Sequence, residues 1–334
     1  MRMSAHRVVL KTRLLVCFVA ISAIVGNRSA EAQTVLRLAH ASSTNSLIDK
    51  AMQYFADDLT KRTGGKLTIQ DFPNGELGDE GPIADGVGSG SIDIGLGGVV
   101  DAIDPRLNVV ALPFLFNDLK NVHRLLDGPV GAQLMAMGQD RGYKMLGFLD
   151  SGFRNFANSR HPIVTPADLK RMKIRTPPIS VILDTMHALG ALPQSIPFGQ
   201  VYTALQSHVV DGVEPELRDY SDEKWYEVAK YVTISNYIWT ANYWYMNKSR
   251  FDALPAGEQK AVAAAAADTT IWYRAQLDAT YATVMKGLTA HGVKFNTPNT
   301  TPFQALVAPV YAKYGNVWGK DLVAEVQQAA KADR

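Results

Sequence analysis

Cysteine is all but missing: the 334 residues hold one, Cys17. It lies within the apolar run Leu14 to Val25, which follows the basic residues Arg2, Arg7, Lys11 and Arg13. Val16 stands where a lipidation signal needs a small residue, and the run continues well past the cysteine. Ala30-Glu31-Ala32 then gives the small-x-small pattern of a signal-peptidase site. Residues 1–32 are therefore expected to be a cleaved export signal, with a mature start near Gln33. Disulfides, thiolate metal sites and cysteine nucleophiles are excluded from the mature chain. Long apolar runs are also lacking. The run of 12 residues, Leu14 to Val25, falls short of the ~20 that a spanning helix needs, and no later segment approaches that length without charge or proline.

There is no surplus of either charge. Of 34 Lys+Arg, five lie in residues 1–32, as does only Glu31 of the 32 Asp+Glu; 29 against 31 leaves −2 for the mature chain. A chain so balanced has no electrostatic footprint for nucleic acid. Catalytic signatures are missing too. The glycines from Gly86 to Gly98 form no complete GxGxxG, no P-loop lysine follows, and Gly86-Val87-Gly88-Ser89-Gly90 is no nucleophile elbow. They suit tight turns and close backbone approach to something small. The mature histidines, at 40, 123, 161, 187, 208 and 291, show neither HxxxH nor HExxH spacing. No metal site, no cofactor and no enzyme activity are expected.

What is present reads as α/β. Val35 to His40 has strand character, and Asn45 or Ser46 can cap a helix with Ile48, Met52, Phe55 and Leu59 on one stripe. Gly64-Gly65 stops it; Leu67, Ile69 and Phe72 give a second strand, and Pro73-Asn74-Gly75 a turn. A short helix to Ser89 and a strand at Ile92–Leu96 follow. The grammar repeats between 145 and 245, with strands at Met145–Leu149, Met172–Arg175 and Val209–Val213 and helices at Ile179–Leu189 and Phe198–Ser207. About 300 residues in this alternation suit two domains. Gly257 to His291 contains no proline and is rich in alanine; the residues alone allow two helices or one spanning both domains.

Several segments in order resemble the extracytoplasmic solute-binding proteins of TRAP transporters, the DctP-like family. They are Thr63-Gly64-Gly65-Lys66-Leu67, Pro73-Asn74-Gly75-Glu76-Leu77-Gly78, Gly90-Ser91-Ile92-Asp93, Leu112-Pro113-Phe114-Leu115-Phe116 and Gly152-Phe153-Arg154. Further on come Asn158-Ser159-Arg160-His161-Pro162-Ile163, Thr165-Pro166-Ala167-Asp168-Leu169-Lys170 with Lys173-Ile174-Arg175, and Leu189-Gly190-Ala191. Val201-Tyr202-Thr203-Ala204-Leu205-Gln206 and Val210-Asp211-Gly212-Val213-Glu214 complete the series.

The resemblance implies two α/β lobes with crossing strands, a long helix bracing both, and a ligand held between them. The lobes are expected at 33–152 plus 241–280 and at 153–240 plus 281–334. The implied function is the periplasmic capture of a small organic acid, a sugar acid favoured, by a monomer that delivers it to the TRAP membrane subunits. C4-dicarboxylate, keto or aromatic acids, or delivery to a periplasmic sensor, are the alternatives. Arg175 matches the family arginine that clamps a substrate carboxylate, a role for which a planar guanidinium fork is suited and lysine is not. Arg154 matches a second position that reaches the ligand or forms a lobe-stabilising ion pair. His40, Phe198 and Glu80 match further contact positions. Pro215 stands where the family commonly has a ligand-bonding asparagine, so that contact is either lost or supplied by Glu214, Glu216 or the backbone. Gly98 leaves space where some relatives carry a carboxylate. Phe198, Trp239 and Tyr243 suit either an apolar wall or core packing.

Overall fold

The computed structural model describes residues 33–331. The export signal expected at residues 1–32 lies outside the described residues. The first strand, β1 (Thr34–His40), buries Leu36 and Leu38 beneath the helix Leu47–Arg62. That helix starts where expected: the Ser46 hydroxyl accepts the Asp49 N–H at 3.2 Å, and Asp49 complements the positive end of the helix. Ile48, Met52, Phe55 and Leu59 form its buried stripe. Gly64 and Gly65, at φ 59° and 83°, turn the chain into β2 (Leu67–Phe72), which runs parallel to β1. The helix Glu80–Ser89 then leads to β3 (Ile94–Gly97), parallel to β1 on its other side.

Two long strands cross the middle of the sheet. β4 (Tyr143–Asn158) and β8 (Tyr231–Asn247) pair antiparallel along nearly their whole length. Beyond β4 lie β5 (Lys173–Thr176), β6 (Leu192–Ser195) and β7 (Gly212–Val213), and β9 (Lys294–Asn296) pairs with β8. The order is β2-β1-β3-β8-β4-β7-β5-β6. Two parallel α/β ends thus flank a pair of crossing strands, the expected fold class.

Some expectations differ in extent. The strand read at Met145–Leu149 is the opening of a 16-residue strand. β4 is buried on both faces, so it shows no alternation, and register shifts at Met145/Gly147, Asp150/Gly152 and Arg154/Phe156 break its phase. β8 is buried along almost all its length for the same reason. The strand expected at Val209–Val213 shrinks to Gly212–Val213, since Val209 is exposed and His208 takes φ 57°. The helix expected at Phe198–Ser207 is a 3-10 turn, Phe198–Gln200, running into Val201–Gln206.

The segment after Pro255 is one helix, Ala256–Ala290, of 35 residues. At 1.5 Å per residue it is about 50 Å long. Val262, Ala265, Ala266, Tyr273 and Leu277 join the core built on Leu36, Phe55 and Trp244. Near its far end Leu288 joins a second core with Val213, Tyr220 and Trp225. Between them the Tyr273 hydroxyl donates to the Asp150 carbonyl of β4 at 2.8 Å. The helix therefore ties both ends of the sheet to the crossing strands.

Candidate functional site

Where β1, β3 and β5 end and β4 and β8 cross, the chain encloses a cleft of about 500 Å³, its open mouth included. Its walls include Ser42, Glu80, Gly98, Ser151, Arg154, Arg175, Phe198, Glu216, Asp219, Thr240 and Asn242. Sites at the carboxyl ends of parallel strands, where connections diverge to either side, are the usual ligand positions of open α/β sheets.

The two arginines differ in what they hold. Arg154 follows the Asp150/Gly152 irregularity in β4 and is buried. Its Nε and Nη2 both donate to the Glu214 carboxylate, the latter at 2.8 Å, and its Nη1 donates to Glu216 at 2.7 Å. Glu214 also accepts the Tyr237 hydroxyl at 2.6 Å, and Glu216 accepts the Thr240 hydroxyl. Burial raises the Glu214 carboxyl, opposed by Arg154, while burial and then the Glu214 carboxylate push the Tyr237 phenol well above its ordinary range. Arg154 is thus fully occupied by two carboxylates of its own chain.

Arg175, 2% exposed near the end of β5, has a single hydrogen bond from its Nε to the Ile196 carbonyl at 2.8 Å. Among the described residues no carboxylate pairs with it. Burial, then the positive charge of Arg154, pushes it down to about 10. It remains a cation at neutral pH. A buried charge without an ion-pair partner is costly, and here the guanidinium ends face a cleft. Pro177 follows Thr176 and helps hold the strand end extended.

Acids line the remaining wall. Glu80 begins the helix Glu80–Ser89 and its carboxylate lies beside the Gly98 backbone. Burial, with the adjacent Asp79 charge, pushes its carboxyl up to about 7. Asp219 is likewise pushed up to about 7, by burial and by the neighbouring Glu216, Asp222 and Glu223 against the opposing Arg218. Such carboxyls offer both hydrogen-bond donors and acceptors near neutral pH. Across the mouth, Asp79 accepts the Gly199 N–H at 3.1 Å and Glu223 accepts the Ser43 N–H at 3.2 Å. These two bonds join opposite walls of the cleft.

Of the residues singled out from the sequence, Arg175, Arg154, Phe198, Glu80 and Gly98 meet in this cleft. Phe198 also stacks obliquely on Trp225 at 5.4 Å. A methyl group on Gly98 would stand 3.6 Å from the Ala241 carbonyl and 3.8 Å from Glu80, so the glycine leaves room on the cleft floor. Glu214 lies behind Arg154, and Pro215 is buried with its carbonyl accepting the Asn155 N–H at 2.8 Å; neither lines the cleft. Nor does His40. Strand alternation puts it on the face of Leu36 and Leu38, under the helix Leu47–Arg62, and Ser42 takes the place at the cleft instead. Trp239 and Tyr243 belong to the core: Trp239 meets the edge of Phe116, and the Tyr243 hydroxyl donates to the Leu107 carbonyl at 2.6 Å.

The sequence reading missed Ser42, Ser151, Asp219, Thr240 and Asn242. One signal was available for two of them. Thr240 and Asn242 are polar residues alternating within an otherwise apolar and aromatic run, which is how a buried strand presents polar groups to a ligand.

The family described as bacterial extracellular solute-binding protein, family 7, or DctP, matches residues 38–316. The 2,3-diketo-L-gulonate-binding periplasmic protein YiaO of Escherichia coli is 32% identical over 282 residues, covering 84% of this chain and 86% of its own. A TRAP periplasmic solute binding protein from Xanthobacter autotrophicus, solved with bound β-D-galacturonate, superposes with a TM-score of 0.84 at 32% identity, covering 87% of this chain and 99% of that one. The sugar acid binding protein DctPAm from Advenella mimigardefordensis, in complex with galactonate, gives 0.87 at 31% identity, covering 90% and 99%.

Proposed function

The chain belongs to family 7 of the bacterial extracellular solute-binding proteins, the DctP family, and from that premise we propose that its cleft takes a hydroxylated monocarboxylate, a sugar acid, with Arg175 gripping the carboxylate. Family members bind small organic acids and work with TRAP membrane subunits, and this chain is such a receptor. The observation that carries the finer reading is Arg175 itself. It is a buried cation, aimed at a cleft, with no carboxylate of the described residues in ion-pair contact with it. A ligand carboxylate supplies that partner in the bidentate geometry the guanidinium favours.

The acids set the rest of the ligand. Glu80, Glu216 and Asp219 surround the cleft, so a second carboxylate meets repulsion while hydroxyls find acceptors. Glu80, near half-protonation at neutral pH, serves as donor or acceptor. The relatives named above that are solved with galacturonate and galactonate favour the same class. Arg154 acts through its ion pairs, holding Glu216 in the wall. We place the lobes at 33–152 plus 241–280 and 153–240 plus 281–334. Loss of the Asp79–Gly199 and Ser43–Glu223 bonds then accompanies lobe opening. The protein works in the periplasm after removal of residues 1–32, as a monomer, without cofactor, catalysis or nucleic acid.

A thermal-shift panel tests this reading. Galacturonate, glucuronate and galactonate should each raise the melting temperature by several degrees at a hundredfold excess over Kd, and neutral galactose should not. Stabilisation by succinate alone would assign the cleft to dicarboxylates and overturn the sugar-acid reading.

A further inference from the structure

The interface between the helix Leu47–Arg62 and the β1–β2 pair is apolar, made by Leu36, Leu38, Ile48, Met52, Phe55 and Leu67. At its end stand three polar groups. His40 closes β1 in phase with Leu36 and Leu38, Asp71 lies on β2 in phase with Leu67 and Ile69, and Asp49 comes from the first helical turn. The His40 side chain is fully buried, and neither ring nitrogen has a hydrogen-bond partner. Its Nε2 faces Asp49 Oδ1 at 3.6 Å and Asp71 Oδ1 at 3.7 Å, both beyond hydrogen-bond length. Asp71 Oδ1 is also buried without a partner.

We propose that His40, Asp49 and Asp71 form a binding site for a divalent first-row transition ion, of the zinc class, separate from the cleft. The separations fit this use. Ligand atoms about 2.1 Å from a common ion and roughly 109° apart, as in a tetrahedral site, stand about 3.4 Å from one another, close to the separations seen here. The three ligand atoms lie within 4.8 Å of each other. The carboxylate of Asp49 is oriented for it: its Oδ2 accepts the Asn45 N–H at 2.8 Å and the Gln53 side-chain amide at 2.7 Å, leaving Oδ1 to face His40. Such outer hydrogen bonds are how proteins aim a metal-binding carboxylate. One imidazole and two carboxylates suit zinc or manganese, and three protein ligands leave a position for water. Asp71, with 22% of its side chain exposed, gives the ion a way in. A buried imidazole and a buried carboxylate oxygen, both without hydrogen bonds, are otherwise costly, and coordination relieves that cost. This departs from the expectation of no metal site, which rested on spacing along the chain; the fold brings the three residues together from two strand ends and a helix start.

The test is calorimetric titration of chelator-treated, dialysed protein with Zn²⁺, Mn²⁺, Ca²⁺ and Mg²⁺ separately, with melting temperatures alongside. Zn²⁺ or Mn²⁺ should bind at one equivalent and raise the melting temperature by several degrees at a hundredfold excess over Kd. Ca²⁺ and Mg²⁺, which call for six or more oxygen ligands, should leave it unmoved. His40→Gln and Asp71→Asn should each weaken binding at least tenfold and abolish the metal-dependent shift. Asp71→Asn, at the partly exposed corner, carries the test should His40→Gln not fold. No binding of either transition ion, or binding that survives the substitutions, overturns the proposal.

Discussion

Arg154 and Arg175 share one cleft, and both are buried, yet their surroundings are opposite. Arg154 holds two carboxylates, which are themselves braced by Tyr237 and Thr240. Arg175 has one backbone carbonyl and no carboxylate. The difference separates two uses of the same side chain. A guanidinium whose bonds are filled within the chain stabilises the fold and shapes its neighbours. One left incomplete in a buried position costs stability in the free protein, and a ligand anion restores it.

The largest effect should come from the filled arginine. Arg154→Met leaves Glu214 and Glu216 buried without their cation, and should cost about 3–5 kcal/mol in stability by denaturant unfolding. An unchanged midpoint would erase the distinction between the two arginines. A smaller effect should follow pH. The Glu80 carboxyl, raised to about 7, keeps its proton in the folded protein over a range where the unfolded chain has released it. Its contribution to stability is therefore complete at low pH and is lost as pH rises from the ordinary carboxyl range through about 7. Asp219 acts in the same direction. The melting temperature of the ligand-free protein should fall between about pH 5 and about pH 8, and Glu80→Gln should remove part of that fall. A profile that does not change with the substitution would mean that Glu80 is not held protonated by its wall of the cleft.

How legible this was from the chain varied by region. The first β-α-β unit could be read directly, because one face of its strands and one stripe of its helix are buried and the caps are local: Ser46 at the start, Gly64-Gly65 at the stop. The crossing strands could not, because burial on both faces removes the alternation that marks a strand. Their place in the fold came from resemblance. Arg175, the proposed clamp, was also marked by resemblance and not by pattern, since nothing local distinguishes it from any arginine before a turn. His40 was misplaced although the phase of Leu36, Leu38 and His40 was visible; continuing that alternation puts it under the helix. Ser42, Asp219, Thr240 and Asn242 converge from separate elements, and only the three-dimensional packing brings them together.

The most direct test of the central claim is titration of Arg175→Ala with whichever sugar acid stabilises the wild-type protein. The account predicts a loss of about 2–5 kcal/mol, roughly thirtyfold or more in affinity, while the ligand-free variant melts no lower than the wild type. Affinity within about threefold of wild type would contradict it and show that the carboxylate is held elsewhere.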